Sequence, residues 1–160
     1  MNEDVKKTVL RKMTYGMWVL TAGQGDELEG SSVCWVTQTS FNPPLVVAAI
    51  RADSHLAKVV EKSQAFALHL LTKQQKALAE AFTKPTASGG GKIGGVAFKP
   101  GPATGAPLLE GFAAWCEAKV TDTVRRGDHT LYVAQVMDVG ASDPKAEPLV
   151  LAEVGWSYGG

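Results

Sequence analysis

The chain has 160 residues with 16 basic and 16 acidic side chains, so its formal net charge is zero. That balance argues against a general nucleic-acid or acidic-membrane binder. The two cysteines, with no C-x-x-C spacing, are too few for a disulfide scaffold or a cysteine metal site. The length favours one domain over residues 1–160 with a good core. A charged start followed by no apolar segment of signal or transmembrane length, together with the unpaired thiols, points to a cytoplasmic protein with no membrane partner.

Residues 4–14 predict a short amphipathic helix in which Val5, Val9, Leu10 and Met13 share a face. Asn2 caps it, and Arg11 and Lys12 fall in its last turn, as the helix dipole prefers. A strand runs from Gly16 to Ala22, and the polar GQGDELEG from Gly23 turns it into a hairpin. Gly30–Ile50, GSSVCWVTQTSFNPPLVVAAI, reads as two strands joined at Pro43–Pro44. In the first, Val33, Trp35, Thr37 and Thr39 point one way, and Ser32, Cys34, Val36, Gln38 and Ser40 the other. Neither face is purely apolar or purely polar. Two readings stand: a half-buried strand near a sheet edge, or a strand that meets a planar, partly polar ligand.

Leu45–Ile50 reads as a fully buried strand. Ser54 caps a helix that buries Leu56, Val59 and Val60, and Phe66–Leu71 is another strand. Thr72 and Gln75 have the spacing of a capping box, opening a helix that buries Ala77, Leu78, Ala81 and Phe82. Residues 84–107, rich in Gly and Pro, read as a long loop holding at most one short ordered piece. Strands around Phe112–Thr121 and His129–Val139 flank a turn at Arg125–Asp128, and a last apolar run, Pro148–Leu151, precedes the tail GWSYGG. Six or seven strands with three helices inserted between them argue for a barrel-like antiparallel sheet rather than a doubly wound parallel one.

Gly89-Gly90-Gly91-Lys92 fails the phosphate-loop pattern, because Thr86 stands where its first Gly belongs and Ile93 replaces Ser or Thr. It reads as a flexible glycine loop, with Lys92 free to approach an anion. Arg51-Ala52-Asp53-Ser54-His55 joins a strand to a helix, where free N–H groups and the helix dipole favour an anion that Arg51 and the Ser54 hydroxyl would complete. The opposing reading is that Ser54 only caps and Arg51 is solvated. His55, His69 and His129 have no metal-ligand spacing, so no metal centre is expected. His69, inside FALHLL, reads as a packed strand residue; His129, at a strand start beside Gly127-Asp128, is the better functional candidate. Trp156 and Tyr158 lie in a tail that is either disordered or stacked on a planar ligand or a second subunit. No G-x-S-x-G elbow is present and Cys34 has no base beside it, so nucleophilic catalysis finds no support.

Six segments in order carry a resemblance: TYGMWVLTA (14–22), SSVCWVTQTSFNPPLVVAAI (31–50), RADSHLAKVVEKSQAFALHLLTKQQKALAEAF (51–82), PLLEGFAAWCEAKV (107–120), GDHTLYVAQV (127–136) and the terminal GWSYGG. The chain resembles the flavin reductase-like, FMN-binding split-barrel family. WVTQTSF is most similar to the branch attached to flavodiiron proteins, here as a stand-alone version beside the NAD(P)H:flavin oxidoreductases. The resemblance implies a mainly β (α+β) fold, an antiparallel split β-barrel with helical insertions. It also implies a homodimer with one FMN per subunit near the interface, and NADH or NADPH as co-substrate.

On this resemblance the segment matching Ser31–Thr39 lies along the isoalloxazine, which makes Ser32, Val33, Cys34, Trp35, Thr37, Gln38 and Thr39 expected contacts. Cys34 and Trp35 depart from the family pattern, so the backbone contacts there are the expectation. The junction matching Arg51, Ser54 and His55 lies near the phosphate, and His129 lies close to flavin and nicotinamide as the expected catalytic residue. Lys92, Trp156 and Tyr158 join the expected cofactor contacts from the residue reading above. Hydride transfer to flavin needs two stacked rings and no acid, base or nucleophile from the protein. The alternative is a non-enzymatic flavoprotein electron carrier reduced by a redox partner protein; a third reading is haem or another planar cofactor.

Overall fold

The computed structural model describes residues 1–160. Helix α1 (Glu3–Leu10) begins where the Asn2 side chain accepts from the Val5 N–H at 3.0 Å, as the capping pattern predicts. The helix ends at Leu10 rather than at the expected residue 14; none of its residues is buried, its apolar Val5, Val9 and Leu10 face outward, and Met13, beyond its end, is exposed as well. Strands β1 (Trp18–Gln24) and β2 (Glu27–Val33) form the expected hairpin, with the turn confined to Gly25 and Asp26. Then come β3 (Val36–Ser40), β4 (Leu45–Arg51), α2 (His55–Ser63), β5 (Ala65–Leu70) and α3 (Lys76–Ala81). Short strands β6 (Ser88–Gly89), β7 (Lys92–Ile93), β8 (Val96–Pro100) and β9 (Pro107–Leu109) precede the long pair β10 (Ala114–Arg126) and β11 (His129–Ala141). A single turn, α4 (Leu151–Val154), leads into the tail.

The main sheet has seven strands in the order β2-β1-β5-β10-β11-β4-β3, every neighbour antiparallel. Its two edges, β2 and β3, are consecutive in the chain and separated only by Cys34 and Trp35. In a flat sheet those edges would lie six strand spacings apart, about 28 Å. Three Cα steps, from Val33 to Val36, span at most about 11 Å. The sheet must therefore curl until its edges nearly meet, without a ladder to close it: a mainly β, antiparallel split barrel. The expected single strand through residues 30–40 is thus two strands on opposite edges, and Cys34 lies in the crossing rather than in a strand.

Two cores follow from the alternation along the strands. Leu20, Ala22, Ile50, Phe66, Leu68, Val120 and Tyr132 pack beneath Leu56, Val59 and Val60 of α2. The other faces give Met17, Val19, Cys34, Leu71, Phe82, Ile93, Phe112 and Leu149. β1 feeds both, and the other face of β5 gives Ala67 to a third, small cluster with Ala106 and Leu108, so Val19, Leu20 and Thr21 are all fully buried, as are Phe66 and Ala67. β4 is only half buried, with Ala48 and Ile50 inward, because its other face borders a groove. In the next helix Ala79 and Phe82 are buried while Ala77 and Ala81 are exposed; a 3-10 turn over Lys73–Gln75 rotates the helical face from the expected one.

The expected loop at 84–107 is ordered as a second, four-stranded sheet, β6-β7-β8-β9. Gly90 and Gly91, then Gly94 and Gly95, all with positive φ, make its tight turns. Buried Glu117 pins the following loop, its carboxylate accepting from the Ala103 and Thr104 N–H groups at 2.9 and 2.8 Å and from the Thr104 hydroxyl at 2.6 Å.

Candidate functional site

Where the chain crosses between the sheet edges it leaves a groove of about 390 Å³. Ser31–Trp35 form one wall, and Ala49, Ile50 and Arg51 at the end of β4 form the other. Ser54 and Leu56 of α2, Thr83, Met17, Leu151 and the tail residues Trp156, Ser157 and Tyr158 complete it. The Trp35 carbonyl accepts from the Ala49 N–H at 2.9 Å, and the Ser31 and Ser32 hydroxyls donate to the carbonyls of Phe82 and Ala79 at 3.3 and 2.7 Å. These bonds tie the crossing to β4 on one side and to the end of α3 on the other.

At one end lies the strand-to-helix junction. Ser54 caps α2, accepting from the Ala57 N–H at 3.1 Å and donating to the Arg51 carbonyl at 2.7 Å. Arg51 forms a bidentate pair with Asp53, at 3.0 and 2.6 Å, which raises the guanidinium's pKa and lowers the carboxyl's. His55 lines neither the groove nor its neighbouring recess; its Nδ1 lies 2.8 Å from Glu29.

On the neighbouring strand, beside this junction, is a hydrogen-bonded row, Asp128–His129–Tyr158, with His129 the direct ladder partner of Arg51. The imidazole Nδ1 meets Asp128 Oδ1 at 2.7 Å and Nε2 meets the Tyr158 hydroxyl at 2.8 Å. The interaction with His129 holds the Asp128 carboxyl below its ordinary range, while burial raises the Tyr158 phenol. Trp35 packs against both rings, its centroid 4.5 Å from that of His129 and 5.1 Å from that of Tyr158. Its indole Nε1 is buried with no hydrogen-bond partner. Burial also raises both thiols, Cys34 and Cys116, to about 11, so neither is a thiolate near neutral pH.

Of the expected contacts, Ser32, Val33, Cys34, Trp35, Arg51, Ser54, Trp156 and Tyr158 line the groove, and His129 lines the recess beside it. Thr37, Gln38 and Thr39 are exposed on edge strand β3, outside both spaces, and the first two bond locally to the carbonyls of Gln38 and Ser40. Lys92 is exposed in the small sheet, also outside them. Asp128, Met17 and Thr83 were not expected: Asp128 carried a signal in its place beside His129, whereas Met17 and Thr83 arrive through the curl of the sheet. No set of three His, Cys, Asp or Glu side chains is placed to hold a metal ion, and no helix is long and apolar enough to cross a membrane.

The chain is similar to NADH-dependent FMN reductase AsuE2 of Streptomyces nodosus subsp. asukaensis, 28% identical over 139 residues that cover 84% of this chain and 73% of that protein. It is 31% identical over 133 residues to putative diflavin flavoprotein A 3 of Synechocystis, covering 82% of this chain. The chain spans about a quarter of the length of the diflavin flavoproteins it matches. Among solved structures, the NADH:FAD oxidoreductase SgcE6 of Streptomyces globisporus matches with a TM-score of 0.79 and 26% identity, over 93% of this chain and 89% of that one. The styrene monooxygenase flavin reductase of Pseudomonas putida matches with a TM-score of 0.76 and 28% identity, over 96% and 95%. Residues 10–156 match the family described as flavin reductase like domain, so the chain belongs to that family.

Proposed function

We propose that the protein is an NAD(P)H-dependent flavin reductase that takes FMN in the groove under the β2–β3 crossing. The observation that carries this reading is the buried, unpartnered Trp35 Nε1 at a groove lined mostly by apolar residues. An orphaned donor in such a place fits a flat ring with acceptors on its rim. The groove's volume, about 390 Å³, lies within the range of small-molecule sites. When bound in this groove, FMN would supply the redox chemistry, as an acceptor of hydride equivalents from NADH or NADPH.

The chain's own groups bind and orient. Met17, Val33, Ile50 and Leu56 would exclude water from the ring, the Ser32–Trp35 backbone would hold its polar edge, and Arg51 with the first turn of α2 would hold the phosphate. For this Arg51 must turn from Asp53, and that exchange makes its contribution modest. His129, held by Asp128, borders the space from which the second ring approaches. Neither thiol is ionised near neutral pH, so no covalent route competes.

The similarity to diflavin flavoproteins favours a second reading, a flavin-binding electron carrier reduced by a partner protein. The exposed Val5, Val9 and Leu10 of α1, with Met13 just past its end, support a homodimer in which a second copy covers them. The two free thiols support a cytoplasmic setting.

Purified protein titrated with FMN and followed by absorbance, then mixed with NADH or NADPH, tests these readings. Flavin binding and nicotinamide oxidation are expected. Bound flavin that neither nicotinamide reduces would leave the carrier reading, and no flavin binding would remove both. Light scattering tests the dimer.

A further inference from the structure

Beside the groove lies a second space of about 740 Å³, bordered by Lys6, Leu10, Asp53, Asp128 and His129. Trp35, Arg51 and Tyr158 line both spaces. Trp35 is held by the crossing, and Arg51 is set by its place opposite His129 in the β4–β11 ladder. Tyr158 is held differently. Residues 156–160 make no main-chain hydrogen bond to any main-chain group. Side-chain contacts keep the tail down. The Tyr158 hydroxyl lies on His129 Nε2, its ring packs edge-on to Trp35, and Arg11 Nε donates to the Gly159 carbonyl at 3.1 Å. Gly155 and Gly159, both with positive φ, flank this short segment.

The closed arrangement also carries a cost. Gly159 lies so near the indole that a Cβ there would come 3.0 Å from Trp35 Cζ2, on the same ring system as the unpartnered Nε1 and two bonds from it. Moving the tail lets water or a ligand reach that donor, and it frees the imidazole nitrogen that Asp128 leaves available.

We propose that Tyr158 is a shutter between the flavin groove and the neighbouring recess, and that it must swing aside for the nicotinamide ring of NADH or NADPH to stack on the bound flavin. The proposal rests on the flavin-reductase reading and adds to it a gating residue and its tether. In the free protein the shutter lowers apparent nicotinamide affinity by the fraction of molecules that are open. Arg11, outside the groove and the recess, sets that fraction through Gly159.

The test compares wild type with Arg11→Met, Tyr158→Phe and Tyr158→Ala. FMN affinity is measured first by titration. NAD+ and NADP+ binding to the oxidised, flavin-loaded protein is then measured by calorimetry, with no turnover, and KM and kcat for the reduced nucleotides follow. Arg11→Met is expected to leave FMN affinity unchanged and to tighten nicotinamide binding about threefold, with KM falling by the same factor and kcat steady. Tyr158→Phe, which keeps the ring and loses the tie to His129, is expected to tighten it about threefold, and Tyr158→Ala about tenfold. Unchanged or weaker nicotinamide binding in Arg11→Met and Tyr158→Phe overturns the shutter while the reductase reading stands on the wild-type data. Wild type that binds no flavin overturns both.

Discussion

His69 and His129 occupy comparable places, each in an antiparallel strand of the same sheet, yet they are held by different kinds of partner. His69 is fully buried between the main sheet and β9; its Nδ1 lies 3.1 Å from the Val19 carbonyl and its Nε2 accepts from the Leu109 N–H at 2.9 Å. Both partners are main chain, so the ring is a neutral tautomer fixed by two strands, and burial pushes its pKa down to about 4. His129 has both nitrogens engaged by side chains, one from Asp128 and one from a tail residue. Main-chain partners move only when a strand moves, whereas side-chain partners can let go one at a time. One histidine therefore cements the fold, and the other stands where groups must exchange partners.

That contrast breaks first at His69. His69→Ala is expected to lose about 3–5 kcal/mol in urea denaturation, from the cavity and from two stranded main-chain groups. A loss under about 1 kcal/mol would mean that the ring does not join the strands. The pH dependence should be nearly as large. The folded chain holds His69 near 4 and the unfolded chain near the ordinary 6.5. Between those values the unfolded state takes up a proton that the folded state refuses. Stability is thus complete above pH 6.5 and is lost as pH falls toward about 4, by roughly 3 kcal/mol from this group. Melts of wild type and His69→Gln across that window measure it, since the variant should lack this part of the slope.

Smaller effects sharpen the other side. His129→Ala is expected to slow single-turnover reduction of bound FMN by NAD(P)H about tenfold, while costing about 1 kcal/mol or less of stability. Equal rates in stopped-flow would make the residue structural only. Arg51→Ala should weaken FMN binding by about tenfold or less, because Asp53 already occupies the guanidinium, and should leave riboflavin binding alone. Equal losses for FMN and riboflavin would move Arg51 away from the phosphate.

Where a signal is local, the chain states it openly. The Asn2 and Ser54 caps and the first hairpin stand where residue pattern places them, and the β10–β11 pair is there too, though β10 runs on to Arg126 and narrows the expected turn to Gly127 and Asp128. Failures came where a pattern had two outcomes. The mixed faces of residues 30–40 were neither a core strand nor a surface strand, because the chain changes sheet edge at Cys34 and Trp35. The glycines of residues 84–107 suited a loop as well as the tight turns of a small sheet, and only pairing with β9 decided between them. The apolar stripe of α1 was visible, but not that the chain itself leaves it uncovered. Of the expected contacts, those on the crossing share a groove with Arg51 and Ser54 of the β4–α2 junction, whereas His55 turns to Glu29 and Thr37–Thr39 follow β3 to the outside.

Residue order alone determined the two helix caps, the first hairpin and the β10–β11 pair, since each depends on neighbours within a few positions. Folding decided which distant groups meet: Tyr158 on His129, Leu109 on His69, and Thr104 on the buried carboxylate of Glu117. The reason is geometric. Strand register and the curl of a seven-stranded sheet set those meetings, and both are properties of the assembled ladder rather than of any one segment's periodicity.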